Sequence, residues 1–297
     1  MLSLSIIQEA TRRALAKGVL QPIETRTTLL DDDGVRFVVR AVSTLARKED
    51  SRHTAESADP LGDYDPGLFV TDLPPSHYIL LNKFPVLAGH VLLVTRRFER
   101  QERLLTAEDF AALTICLSEV DGLAFYNGGI EAGASQARKH LQFVPLPLAP
   151  ESPDEVPMER RLGGGHQPAF RHAFATIPPR ATAPALHALY RELLERCGVS
   201  FVAAAEGELQ LAPYNLLLRR SWMLVVPRSR ASFESIPVNA LGFADSLFVR
   251  SQADLERVRA VGPMQVLRAV AVPRDEVRDR GTVDTAGDVI RGSETGL

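Results

Sequence analysis

Residues 133–148 read GASQARKHLQFVPLPL and gather Ser135, Gln136, Arg138, Lys139, His140 and Gln142 between a glycine-rich turn and an apolar run. A polar cluster of this kind does not build a core strand. Asn127, Gly128, Gly129 and Gly133 lead into it. Glycine lets backbone N–H groups turn inward and approach a ligand closely, and successive inward amides form a concavity that suits an anion. Ser135 and Gln136 add side-chain donors on the rim. If a strand begins near 139, its period of two sets Arg138, His140 and Gln142 on one face and Lys139, Leu141 and Phe143 on the other. One face then presents guanidinium, imidazole and amide in a row. Neutral imidazole is a good nitrogen nucleophile because its ordinary pKa is about 6.5. Attack on phosphorus would give a phosphoramidate and divide one displacement into two. Such a transfer needs donors around the phosphoryl oxygens. Two cations beside His140 disfavour a divalent ion there, and no metal site is expected.

The elements that must hold this stretch follow from patterning. Residues 1–30 read as a helix and then a loop, 35–48 open as a strand, and 49–67 read as a loop. The runs 77–84 and 90–98 read as a strand pair. Thr106 and Asp109 have capping-box spacing, and apolar periodicity after them predicts a helix over 107–124. Residues 181–199 are expected helical, 214–229 as two strands around Arg219, Arg220 and Ser221, and 266–272 as a further strand. Without a repeated βαβ rhythm, the expected class is α+β with mainly antiparallel sheet and flanking helices. The organisation expected is an N-terminal catalytic part over 1–150, a linker or crossover over 151–168, and a C-terminal part over 169–272. A disordered tail is expected over 273–297.

The chain has 297 residues, 45% of them hydrophobic, and a net charge of −3. That supports a sizeable core and gives no basic excess for nucleic acid. No apolar run approaches a membrane span, and the N-terminus lacks the continuous apolar segment of a signal peptide. Cys116 and Cys197 have no metal-ligand spacing and are expected as buried thiols in the cytoplasm. The lysines are Lys17, Lys48, Lys83 and Lys139, set against many arginines. A compact ammonium is not interchangeable with a guanidinium at a crowded phosphate site. Among the other aromatic and histidine side chains, Trp222 is expected in the core. His90 is expected to be structural, although its position would let it contact phosphate.

Three separated stretches, NKFPVLAGHVLLVT, DGLAFYNGGIEAGASQARKHLQFVPLPL and YNLLLRRSWMLVVPRSR, occur in that order. Together they resemble the ATP adenylyltransferases, or diadenosine tetraphosphate (Ap4A) phosphorylases, of the histidine-triad superfamily. The resemblance implies a HIT-like α+β fold. It also implies interconversion of Ap4A plus phosphate with ATP plus ADP through an AMP–histidine intermediate. It makes His140 the nucleophile and Gln142 the glutamine that contacts the reacting phosphate. It assigns Gly133, Ala134, Ser135 and Gln136 to the phosphate-binding turn, and Asn127, Asn82 and Lys83 to nucleotide binding. Lys48 matches a substrate lysine, and Lys139 is expected to offset polyphosphate charge with Lys48 and Lys83. Asn215, Met223 and Arg228 are looser C-terminal matches. Where the family carries its first histidine this chain has Arg138, which could hold a phosphate bidentately.

The implied partners are Ap4A, ATP, ADP and phosphate, with no nucleic acid and no membrane; the oligomeric state is left open. A magnesium ion can travel with the nucleotide, and no organic cofactor is expected. Two alternatives remain from the sequence. One is a dinucleoside polyphosphate hydrolase on the same scaffold. The other is a nucleotide-binding protein without turnover, in which Arg138 marks lost catalysis.

Overall fold

The polar stretch leads into the middle of an eight-stranded sheet. The computed structural model describes residues 2–42, 58–149, 156–164, 167–205 and 207–274. Lys48 and the tail from 275 onward therefore lie outside the described residues. The first half carries α1 (Leu4–Ala16), β1 (Thr25–Asp32), β2 (Val35–Val42), β3 (Phe69–Leu73), β4 (His77–Leu81), β5 (Val91–Thr95), α2 (Ala107–Glu119), β6 (Gly122–Gly128) and β7 (His140–Pro145). The second half begins with α3 (Pro157–Gly163), β8 (Ala173–Thr176), α4 (Ala183–Arg196), β9 (Phe201–Ala204) and β10 (Gly207–Gln210). It continues with β11 (Tyr214–Leu218), β12 (Trp222–Pro227), β13 (Ser232–Phe233), β14 (Ile236–Pro237), β15 (Ser246–Val249), α5 (Gln252–Val261) and α6 (Pro263–Val270).

The main sheet runs β3-β4-β5-β7-β6-β11-β12-β8, all antiparallel, so strands from both halves share it. A second sheet, β1-β2-β15, contains a parallel pair, β15 with β2. Period two divides the main sheet between two cores. Ala124, Tyr126, Leu141, Phe143, Leu216 and Leu218 face a core closed by α1, α2 and α4. Leu123, Phe125, Val144, Leu217 and Leu224 face a core closed by the second sheet with α3, α5 and α6. On this second side, a small cluster of Leu61, Tyr78, Leu80, Leu92 and Val94 stands apart. His140 and Gln142 share the face of Val144, toward the second core and the small cluster.

The α+β class with mainly antiparallel sheet is as expected. The capping box forms, with Thr106 and Asp109 closing the start of α2. Several elements differ. Residues 25–30, expected as loop, belong to the half-exposed edge strand β1. The helix expected over 107–124 ends at Glu119, and 122–128 is a strand buried at every position. Burial on both faces removes the alternation by which a strand is recognised. Residues 266–272, expected as a strand, lie mostly in α6. There Met264, Leu267 and Val270 meet the core at helical spacing, and Pro263 begins the helix. The expected linker carries α3, whose Met158 and Leu162 enter the second core. Trp222 packs in that core, and Cys116 and Cys197 are buried free thiols whose pKa burial raises to about 12.

Candidate active site

His140 opens β7 and is buried at the wall of a cavity of about 720 Å³, within the range of ~300–1,000 Å³ usual for small-molecule sites. Its Nδ1 lies 2.8 Å from the carbonyl oxygen of Arg138. A carbonyl only accepts, so Nδ1 carries the proton and Nε2 keeps its lone pair. Burial lowers the His140 pKa below its ordinary value and favours the neutral ring. The strand therefore supplies the position and the tautomer that a nitrogen nucleophile needs.

Gln142 lies on the same face of the cavity wall, and a chain of side chains fixes its amide. Phe84 N–H donates to Asn82 Oδ1 at 3.2 Å, so Asn82 Nδ2 is the group 3.1 Å from His90 Nδ1. That nitrogen of His90 accepts. Its Nε2–H then donates to Gln142 Oε1 at 3.0 Å. The NH2 of Gln142 is left as a donor. Burial pulls the His90 pKa down to about 4, which keeps the ring neutral for this role. His90 is thus more than structural packing, since it orients the glutamine beside His140. The β5–β7 register, with Leu92 opposite Gln142, is what brings it there.

The glycine turn differs in its details from the expected cradle. Gly133 N–H donates to Ile130 O and Ala134 N–H to Gly129 O, so these two amides are used within the turn. Gly133 has φ +93°, and a Cβ there would come 2.8 Å from Asn239 Cβ, so glycine is required. Ser135 and Gln136, by contrast, line the cavity and make no internal hydrogen bond among the described residues. They are the donors that the turn offers.

Both cations flanking His140 are engaged elsewhere. Arg138 donates from Nε to both oxygens of Asp59 at 2.9 Å and from Nη1 to Thr95 O at 2.9 Å. The bond to Arg138 lowers the Asp59 pKa. Asp59, not a phosphate, occupies the guanidinium fork. Lys139, expected at polyphosphate, is fully buried on the opposite face. Its Nζ donates to Asp109 Oδ2 at 2.6 Å, Leu104 O at 3.0 Å and Glu99 Oε2 at 3.2 Å. Burial alone would raise the Asp109 pKa, but Lys139 and His77 outweigh it and hold the carboxyl below its ordinary value. The strand period that aims His140 at the cavity aims Lys139 away from it.

The C-terminal matches also sit behind the site. Met223 is buried in the core of α1, α2 and α4. Asn215 donates to Asn127 Oδ1 at 2.9 Å and Ala132 O at 2.8 Å. Arg228 donates to Asn215 Oδ1 at 2.6 Å and to Val238 O at 2.9 Å, and burial lowers its pKa to about 9. These side chains brace the turn from beneath. Asn127 does line the cavity, but its Oδ1 also accepts from Ala240 N–H at 3.0 Å. Lys83 is exposed at the rim, and Asn82 lies in the wall.

One cavity cation was not anticipated. Arg40, on β2, lines the cavity and is buried, donating to Ser246 Oγ at 2.6 Å and Leu148 O at 2.5 Å. The available signal was a guanidinium inside the apolar run VRFVVRAV. Among the described residues, no group of three His, Cys, Asp or Glu is placed to hold a metal ion, and no helix is long and apolar enough to cross a membrane.

A family model described as the Ap4A phosphorylase N-terminal domain matches residues 2–163. One described as the ATP adenylyltransferase C-terminal domain matches residues 166–273. The chain belongs to the Ap4A phosphorylase family. Among similar proteins of Saccharomyces cerevisiae, Protein APA1 is 27% identical over 86% of this chain and 88% of its own length. Diadenosine 5',5'''-P1,P4-tetraphosphate phosphorylase 2 is 28% identical over 75% of this chain and 79% of its own. The crystal structure of yeast Ap4A phosphorylase Apa2 superposes with a TM-score of 0.76 at 26% identity, covering 91% of this chain and 94% of that one. The same yeast protein in complex with Ap4A gives 0.74 at 25% identity, covering 91% and 97%. The HIT-like fold expected from the sequence is the fold of this family.

Proposed function

We propose that this chain is a nucleotidyltransferase that converts Ap4A and inorganic phosphate to ATP and ADP, reversibly, with His140 as the group that carries AMP. The observation that carries the reading is the His140 ring: Nδ1–H is tied to the Arg138 carbonyl and Nε2 is left free at the cavity. Membership of the family and the likeness to a phosphorylase crystallised with Ap4A support the substrate.

Nε2 attacks the α-phosphorus of Ap4A. The Nε2–P bond forms and the bond to the bridging oxygen breaks, expelling ATP. A phosphate oxygen then attacks the adenylyl phosphorus and the N–P bond breaks. ADP leaves, and the neutral ring is restored. The Gln142 amide, Ser135 and Gln136 donate to the phosphoryl oxygens, where charge shifts during transfer. Arg40 and Lys83 offset polyphosphate charge, and magnesium enters with the nucleotide. Arg138 holds the cavity wall through Asp59, so the absence of the first histidine does not remove the nucleophile.

The test is phosphate-dependent turnover. Protein, Ap4A and magnesium are incubated with and without phosphate, beside His140→Ala, and products are separated by anion exchange. ATP plus ADP formed only with phosphate, and lost in the variant, is the expected result. AMP plus ATP without phosphate would overturn it in favour of a hydrolase. Binding without any product would leave a nucleotide-binding protein.

A further inference from the structure

The β6–β7 ladder runs from Gly122 opposite Pro145 to Phe125 opposite Gln142 and stops there. Continued in the same register, it would set Asn127 opposite His140. The side chain of Gln101 stands at that rung instead. Its Oε1 accepts the backbone N–H of His140 at 2.9 Å. Its Nε2 donates to the carbonyls of Asn127 at 2.9 Å and His140 at 3.3 Å. A primary amide has the donor and acceptor of a peptide group, so it satisfies both strands while holding them apart.

Gln101 is itself fixed. It is 1% exposed. Its backbone N–H donates to Ala137 O at 2.8 Å, and its carbonyl accepts from Tyr126 OH. These contacts tie it to Ala137, just before β7, and to Tyr126, the neighbour of Asn127 in β6. Gln101 does not line the cavity, so it acts through the backbone of His140 rather than on a substrate.

We infer that Gln101 is a positioning residue for transfer, an amide spacer that opens the sheet at His140 and fixes where Nε2 points. The inference rests on the nucleophilic role proposed for His140. A displacement of about 1 Å at a reacting atom is enough to cost about 100-fold in rate.

The test compares Gln101→Met, which keeps length and loses the amide, with Gln101→Glu, which keeps the acceptor and donates only when protonated. Steady-state kinetics with Ap4A and phosphate are read beside melting temperature and amide exchange at His140. Gln101→Met is expected to lose about 100-fold in kcat with KM within about threefold. In Gln101→Glu, kcat is expected to recover as pH is lowered from about 9 to about 6, because the protonated acid can again donate to a strand carbonyl. Wild-type kcat should show no such acid recovery. Faster exchange of the His140 amide should accompany the Met variant. An unchanged kcat in folded Gln101→Met, or unchanged His140 exchange, would overturn the inference. If Gln101→Met does not fold, a pH-independent kcat in Gln101→Glu overturns it. A wild-type chain without Ap4A turnover would strike the nucleophilic reading of His140 and with it the catalytic role of Gln101; His140 exchange would still decide whether the amide spaces the strands.

Discussion

Arg138 and Asp59 meet through both carboxylate oxygens, with Nε 2.9 Å from each. The same arginine offers its carbonyl to His140 Nδ1. One residue thus fixes the ring tautomer with its backbone and draws in residues 59–65 with its side chain. Pro60, Leu61, Asp63, Tyr64 and Asp65 of that segment line the cavity.

Asp59→Asn should therefore weaken substrate binding more than chemistry. Losing a charge-assisted bond costs about 1.5–3 kcal/mol, or roughly a 10- to 100-fold rise in the KM for Ap4A. The Arg138 carbonyl remains, so kcat should change by less than about threefold. A fall in kcat with KM unchanged would refute this division of labour.

The pH profile reports the His140 environment. In the proposed reaction the neutral ring attacks, and burial lowers its pKa. The acid limb of kcat/KM should therefore fall below pH ~6.5, the ordinary histidine value. Initial rates from about pH 5 to about pH 9 check this. An acid midpoint at or above that value would contradict a buried neutral nucleophile.

His90→Phe breaks the chain that aims Gln142. Loss of one oriented donor costs about 100- to 1,000-fold in kcat, measured under saturating Ap4A and phosphate. The variant also changes acid stability. The wild-type ring titrates near 4 when folded and near ~6.5 when unfolded. The unfolded chain takes up the proton first, so stability is lost as pH falls between those values, by about 3 kcal/mol. Urea unfolding at several pH values should show a shallower acid loss in the variant. Equal slopes would mean that His90 is not buried as a neutral ring.

Lys139→Met should affect stability rather than substrate affinity. It leaves Asp109 with a buried charge and fewer partners, a cost of about 3–5 kcal/mol. Thermal melts should show the loss, while the KM for Ap4A stays within about twofold. A large KM increase in a fully folded variant would return Lys139 to the polyphosphate.

His140 stands out in the sequence because a polar stretch entering a strand announces itself, and period two predicts which side chains share a face. His140 and Gln142 lie on one face as that rule requires. The same rule separated Lys139 from them, although its charge and the family match suggested phosphate. Partners from distant strands were not legible. Arg40 reaches the cavity from β2, and Gln101 reaches His140 from a connecting segment. Neither stands in a motif that states its destination. The expected helix over 107–124 runs into the first residues of β6, because each residue of that strand is buried, which hides period two. Asn215 and Arg228, expected at the substrate, lie in a buried network under the turn.

The seam between β6 and β11 places Asn127 opposite Asn215, and the Asn215 amide crosses to the Asn127 side chain at 2.9 Å. The stretch that carries His140 belongs to the first half, but β11, paired with β6 beside it, comes from the second. Cleavage in the connecting segment would not create two independent proteins. Each fragment would expose a raw sheet edge made to fit the other, so activity from separately produced halves would require complementation rather than mixing of finished domains.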